Sequence, residues 1–294
     1  MNNFENLTIV SITGHSDYTL GSMYAIQRSC MELPGAKGLL ISPDRPENLP
    51  NNIHHEYCKP FGSIEYSVFT LYSLKEFIHT DYCLIVQHDG WVLNGKNWRD
   101  EFWQYDYIGS PFPFLYEHNG NQVTVHRADI WYQNEQNPNP ILKEFQNGGF
   151  SLRSKRMLSA ARDYGIEMRV MPPNHRNNNE PFKMGWEFDR SMHSEYILLS
   201  GIYRNMLENN RFKYADHLNA TLFGTESLWV SAVRQIPITN SLGCHLGTQG
   251  QIIGTNHVQF NLTEQEQTNM EAQYPTGFRW SELFTQLGYQ ISYK

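Results

Sequence analysis

Between Asp81 and Asp100 the chain reads DYCLIVQHDGWVLNGKNWRD. Its apolar run, Cys83 to Val86, is short and unbroken and stops at Gln87-His88-Asp89-Gly90. A run of that length, bounded by polar and turn residues, reads as a strand buried on both faces. Open α/β sheets bind their ligands in the crevice beyond the strand ends, which is where this pattern puts Asp89. The plain alternative is a carboxylate that caps a turn or the Asn94-Gly95 loop, and spacing alone does not separate the two.

Working outward, Leu7 to Ile12 (LTIVSI) and Gly38 to Ser42 (GLLIS) are two further buried strands, ended by Gly14 and by Pro43-Asp44. Between them Met23, Ile26, Cys30 and Leu33 recur at helical spacing up to Pro34-Gly35, completing a βαβ unit. Ser63 can cap a helix whose apolar face is Ile64, Val68, Leu71, Leu74 and Ile78. Tyr107-Ile108 reads as a strand halted by Gly109 and Pro111, and residues 115–140 as a polar excursion with a hairpin around Val123 to Val125. A helix is expected from Ser154 to Tyr164, helical spacing returns from Glu195 to Leu207, and Phe212 to Ala215 reads as a strand. Residues 172–190 have no periodicity, as in functional loops. The sum is an α/β fold, a mostly parallel central sheet flanked by helices.

The 294 residues suffice for one large domain without disulfides or structural metal. No stretch approaches the roughly 18 to 20 apolar residues that cross a bilayer, and the first residues do not read as a cleaved signal. A cytoplasmic protein without a transmembrane segment is expected, with peripheral membrane contact left open. Cys30, Cys58, Cys83 and Cys244 lack CxxC pairing and read as reduced thiols. A formal charge of −7 without a basic tract argues against nucleic acid, whose binding depends on lysine and arginine. The 14% aromatic content supplies flat amphipathic faces that suit a sugar-like ligand, although ordinary packing absorbs many of them.

Several constellations could carry chemistry. Asp89 is an oxygen ligand suited to a hard cation such as Mg²⁺ or Mn²⁺, sufficient alone if a substrate diphosphate supplies further ligands. Asn147-Gly148-Gly149 would let backbone approach a ligand closely or adopt positive φ; a plain turn explains the glycines equally well. Ser151 and Arg153 follow, the arginine able to hold an anion or to form a surface salt bridge. His54, His55, His175, His193, His245 and His257 do not fall at zinc spacing, and His245, in SLGCHLG, is the histidine best placed to contact a ligand. Glu195 opens a helix, where an acid can be poised over a cleft, and Glu226 lies in LFGTES.

The strings DYCLIVQHDGWVLNGKNW, FWQYDYIGSPFPF and NGGFSLRSKRML together resemble the DUF5672 family of glycosyltransferase-like proteins, with looser matches in SEYILLSGIYR, LFGTE and SLGCHLG. That family resembles nucleotide-diphospho-sugar transferases of GT-A fold. The resemblance implies one continuous catalytic domain over residues 1–255, with a donor half to about 110, an acceptor half beyond it and a helical extension over 256–294. It implies a nucleotide-sugar donor near Thr13, Gln87, His88, Asp89, Gly90, Asn147, Gly148, Gly149 and Arg153. A glycan or other hydroxyl-bearing acceptor would lie near Ser151, Trp186 and Glu226. Asp89 stands where GT-A enzymes carry a DxD-type motif, here with one carboxylate, and His245 would complete the shell of a Mn²⁺ or Mg²⁺ ion. Glu195 would be the catalytic base. A nucleotide-sugar or carbohydrate-binding protein that has lost catalysis is the alternative. A nucleotidyltransferase ranks behind both, because SITGHSDYTLG lacks lysine and arginine.

Overall fold

The computed structural model describes residues 4–119, 122–168, 170–171, 187–188, 194–273 and 278–294. The first half runs β1 (Leu7–Ile12), α1 (Thr19–Glu32), β2 (Lys37–Ser42), β3 (Ile53–Tyr57), α2 (Ser63–Tyr72), β4 (Tyr82–Ile85) and β5 (Gly90–Val92). It continues through β6 (Tyr107–Asn119), β7 (Gln122–His126), α3 (Ala128–Gln136), β8 (Leu142–Ser154) and α4 (Lys155–Asp163). Seven strands form the central sheet in the order β3-β2-β1-β4-β8-β6-β7. From β3 to β4 all pairings are parallel, whereas β8 is antiparallel to β4 and to β6, and β7 to β6. Strands β1 to β4 and β6 therefore point one way and β7 and β8 the other, so the sheet is mostly parallel in direction.

The apolar runs form the centre because both faces of the sheet are covered. Every residue of β1 is buried. Ile9 packs with Met23 and Ile26 of α1 on one side, while Val10 and Ile12 pack with Leu74 and Leu158 on the other. Of the apolar face expected for the second helix, Leu71, Leu74 and Ile78 are buried, Ile64 is half-buried and Val68 is exposed; the helix itself ends at Tyr72 and buries Ser67 and Thr70 beside Leu71. Ser63 is its first helical residue, and Gly62 takes the N-cap, its N–H donating to the Glu65 carboxylate at 3.1 Å. Ser154, expected as the first residue of the next helix, is the N-cap of α4, its Oγ accepting from the Met157 N–H at 3.1 Å.

Strands β6 and β8 differ most from the sequence reading. Strand β6 does not halt at Gly109 but runs on to Asn119, and Asn147-Gly148-Gly149 lies inside β8 rather than in a loop. Two offset bulges hide this. Gly109 pairs with Ser151 and Pro111 with Gln146, so β8 carries three residues more than β6 across that interval. Leu115 then pairs with Glu144, so β6 carries two more than β8 in the next. Prolines 111 and 113 cannot donate to a ladder, which is why pairing lapses there. The polar excursion is the β6–β7 hairpin followed by α3.

Beyond α4 lie a two-stranded pair, β9 (Val170–Met171) with β10 (Glu187–Phe188), then α5 (Glu195–Ile197), a π-helical turn over Leu198–Ile202 and α6 (Arg204–Asn209). Phe212 to Ala215 is not a strand; Tyr214 alone bridges Tyr107. Next come α7 (His217–Phe223), β11 (Gly224–Thr225), α8 (Leu228–Val233) and β12 (Gly243–His245). A second sheet has the order β11-β12-β5. The chain ends with β13 (Gly250–Gly254), β14 (His257–Phe260), α9 (Glu264–Glu271), α10 (Trp280–Gln286) and β15 (Gln290–Ser292), the three strands forming a third sheet. Residues 256–294, set apart in the sequence as a helical extension, thus contain strands as well as helices. Their Phe260, Trp280, Phe284 and Tyr289 share one core with Leu7, Leu84 and Trp91. Among the described residues no helix is long and apolar enough to cross a membrane.

Candidate functional site

Strand β4 runs into a tight turn. Gln87 and Gly90 exchange backbone hydrogen bonds of 2.9 Å each way, which puts His88 and Asp89 at the tip. The following strand, β5, pairs with β12 so that Gly90 lies opposite His245. Parallel pairing of β11 with β12 sets Thr225 beside Cys244, so Glu226 emerges at the same corner. Three short strands thereby deliver Asp89, His245 and Glu226 to one place. The His245 imidazole has its Nε2 3.5 Å from Asp89 Oδ1 and its Nδ1 3.3 Å from Glu226 Oε1.

The bulge in β8 completes the corner. Asn147 Nδ2 donates to Glu226 Oε1 at 2.8 Å, and the Gly149 N–H donates to Asn147 Oδ1 at 2.5 Å. A Cβ on Gly149 would lie 2.2 Å from His245 Nε2 and 2.6 Å from Gln87 Oε1, and one on Gly148 2.5 Å from Glu195 Oε1. Neither glycine has positive φ. Close approach is the reason for both, so the turn explanation and the positive-φ explanation fall away. Gln87 spans the floor, Oε1 lying 3.3 Å from His245 Nε2 while Nε2 donates to the Tyr66 hydroxyl at 3.1 Å.

Charge at this corner is concentrated and poorly satisfied. Burial opposes a charge on His245, but the Asp89 and Glu226 carboxylates outweigh it and raise the imidazole to about 9. Burial raises Glu226 as well, with His245 pulling the other way. Asp89 Oδ1, Glu226 Oε2 and His245 Nδ1 are buried without a hydrogen-bond partner. Buried polar atoms are rarely left so, and a cluster of them points to a group received from outside.

A divalent cation fits part of this set. Oxygen and imidazole nitrogen ligands sit about 2.0–2.2 Å from such ions, and the 3.5 Å between Asp89 Oδ1 and His245 Nε2 suits two ligands on one ion. Glu226 faces the other ring nitrogen, so it does not join them. Among the described residues no three histidine, cysteine or acidic side chains converge as a complete metal site. Asp89 and His245 would hold the ion as a pair, with further ligands from a substrate.

The remaining candidates fall around this corner unequally. Arg153 and Glu195 form a sealed pair, Nη2 to Oε1 at 2.8 Å, with side chains each 1% exposed. Burial disfavours the charged guanidinium, but Tyr107 and Glu195 outweigh it and raise Arg153 further. Ser151 is fully buried, its hydroxyl donating to Gly148 O at 2.8 Å and accepting from Arg153 Nε at 3.2 Å. His88 stacks on Tyr18 at 4.2 Å, and its Nδ1 is 4.0 Å from Asp89 Oδ1. Thr13 directly follows β1, its hydroxyl donating to His15 O at 3.2 Å. Trp186 and most of residues 172–190 lie outside the described residues. Tyr66 and Tyr196, both beside the Glu195 pair, were not singled out in the sequence. Their signal was weak: each sits in a helix whose aliphatic positions carry the periodicity.

On the far side of Asn147 and Glu226 opens a cavity of about 460 Å³ with Phe112, Phe114, Phe145 and Tyr196 in its walls. The arrangement thus joins a charged, cation-competent corner to an aromatic chamber through two shared polar side chains.

No curated protein matches the chain significantly. Among solved structures, that of galactosyltransferase LgtC in complex with donor and acceptor sugar analogs aligns over 96% of this chain and 96% of its own, at 12% identity and a TM-score of 0.44. The glycosyltransferase GlyE of Streptococcus pneumoniae TIGR4 aligns over 95% of this chain and 62% of its own, at 13% identity and a TM-score of 0.44. Its apo form aligns over the same shares at 14% identity and a TM-score of 0.41. The family model described as "Protein of unknown function (DUF5672)" matches residues 59–245, an interval that holds Asp89, the glycine bulge and Glu226 and ends on His245, and the chain belongs to that family.

Proposed function

We propose that the protein is a GT-A-type glycosyltransferase that moves a sugar from a nucleotide-diphosphate-sugar donor to a hydroxyl of an acceptor. The observation that carries this reading is the convergence of Asp89, His245, Glu226 and Asn147 just beyond β4, where an open sheet binds its ligand. The donor diphosphate lies at Asp89 and His245, with the parallel strands behind it. Thr13, Gln87, His88 and Gly90 frame that side, and the β8 bulge meets the sugar. A cation bound by Asp89 and His245 would offset the charge that develops on the leaving diphosphate.

The chain's own residues supply the rest. The acceptor oxygen bonds to the anomeric carbon as the bond from that carbon to the donor phosphate oxygen breaks, the electron pair staying on the diphosphate. Glu226 takes the acceptor proton, a role suited to a carboxylate whose proton affinity burial has raised. Asn147 holds its Oε1, leaving Oε2 for substrate. Glu195, the base implied by family resemblance, is tied to Arg153 and sealed; in this reading the pair positions the β8 bulge instead.

A panel of nucleotide sugars, assayed for transfer and for donor hydrolysis with Mn²⁺ or Mg²⁺, tests the reading. Asp89→Ala should abolish donor turnover while leaving the fold intact, and full retained turnover would sink the assignment. The single carboxylate of His88-Asp89-Gly90 favours one rival, a nucleotide-sugar-binding protein without catalysis. Calorimetric binding of a nucleotide sugar that is neither transferred nor hydrolysed would select it.

A further inference from the structure

The cavity beyond Glu226 has a composition that speaks to the class of acceptor. Its walls come from the paired bulges: the two extra residues in β6 carry the alternation Pro111-Phe112-Pro113-Phe114, which puts both phenylalanines on one face of the strand. Their rings stack at 4.9 Å, and Phe145 of β8 stands edge-on to both, at 6.3 and 6.1 Å. Tyr196 meets Phe145 edge-to-face at 5.2 Å. Among the described lining residues the charged or amide groups are Glu226 and Asn147, which bond to each other, and Arg127, its guanidinium over Phe114 at 5.6 Å; Tyr116 and Tyr196 add hydroxyls.

A chain of sugars needs a polar partner for most of its hydroxyls, because each one buried unpaired is costly. Among the described residues this chamber supplies few such partners beside its four aromatic rings. Its aromatic faces and edges are the complement of a flat apolar ring. Resting on the transferase reading above, we propose that the acceptor is a hydroxyl-bearing compound with an aromatic body, the ring held among Phe112, Phe114, Phe145 and Tyr196 and the hydroxyl presented to Glu226. Selectivity then comes from the apolar body, and the sugar is added next to it.

The test uses the whole chain and a matched pair of probes, 2-naphthyl β-D-glucoside and methyl β-D-glucoside, titrated calorimetrically in the presence of a nucleoside diphosphate. The naphthyl probe should bind about tenfold tighter or more, the scale set by burying one aromatic ring. Phe112→Ala with Phe114→Ala should erase most of that preference. Val125→Trp, which adds bulk at an exposed wall position, should erase it too, so a misfolded double variant does not spare the proposal. Equal binding of the two probes, or a preference that survives Val125→Trp, overturns it. Thermal stabilisation by nucleoside diphosphate, and its loss in Asp89→Ala, is read in parallel. Failure there with the ring preference intact would remove the transferase reading and leave an aromatic-ligand site.

Discussion

His245 is protonated at neutral pH because two carboxylates flank it in a buried corner, and this has consequences at both ends of the pH scale. A histidine raised on folding stabilises the native state fully below its ordinary value of 6.5, and that contribution is lost as pH rises through about 9. Urea midpoints should therefore fall between those limits, and His245→Gln should flatten the profile. A cation at Asp89 and His245 must displace the same proton, so Mn²⁺ affinity measured by calorimetry should rise over the same window, with proton release. The two acids make a sharper contrast. Glu226→Gln should lower transfer by about 10² to 10⁴, as for a proton-accepting group, and lose only the share of the His245 contribution that its charge supplies. Glu195→Gln should destabilise by about 3–5 kcal/mol in chemical denaturation, because it strands a buried guanidinium, and Arg153→Met with Glu195→Leu should recover much of that. Sequence position put both acids near a site and could not rank them. What ranks them is which one meets Arg153, a contact set by β8 pairing 42 residues away.

At the scale of elements, β1, β2 and β4 were legible because their apolar runs are unbroken and buried, whereas the parallel edge strand β3 (IHHEY), mostly polar and half-exposed, was not. Strands β6 and β8 were legible only in fragments. Their bulges interrupt the period-2 pattern, and prolines in β6 read as a stop when they mark only lost ladder bonds. The glycines of β8 were expected to let backbone approach a ligand; within the fold Gly149 lies against His245 of β12 and Gln87, and Gly148 against Glu195 of α5, and no local pattern announces that. The short strands β5, β11 and β12 carry the site and are two or three residues long, below what periodicity resolves. The bulge's tolerance is narrow. Gly149→Ala would drive a methyl group into the His245 ring edge and Gln87, an overpacking that costs typically about 1–3 kcal/mol. The variant should fold at a lowered unfolding temperature and lose Mn²⁺ and donor binding together, because the ring and the amide move as one. Unchanged binding would mean that His245 is not held where cation and donor need it.

Across the whole molecule, the site depends on the last part of the chain. The Leu246 N–H donates to Asp89 O at 2.6 Å and the Ile252 N–H to His88 O at 2.8 Å, so both tip residues of the turn are tied from the C-terminal side. Trp91, two residues after Asp89, stacks on Phe284 at 5.7 Å and donates from its indole to the Tyr289 hydroxyl at 3.0 Å. Residues 256–294 looked separable because Gln and Asn dilute their apolar pattern; a few aromatic side chains at long intervals carry the packing, and composition averages them away. Their burial implies that the turn and the C-terminal segment unfold together. Phe284→Ala should cost about 3–5 kcal/mol, more than a surface change at the same helix, and the loss should appear as a single cooperative transition shifted to lower denaturant. Ending the chain after residue 255 would expose Trp91 and Leu246 and should abolish that transition. A truncated chain that still unfolds cooperatively and still binds a nucleoside diphosphate would show that the turn stands without its C-terminal support.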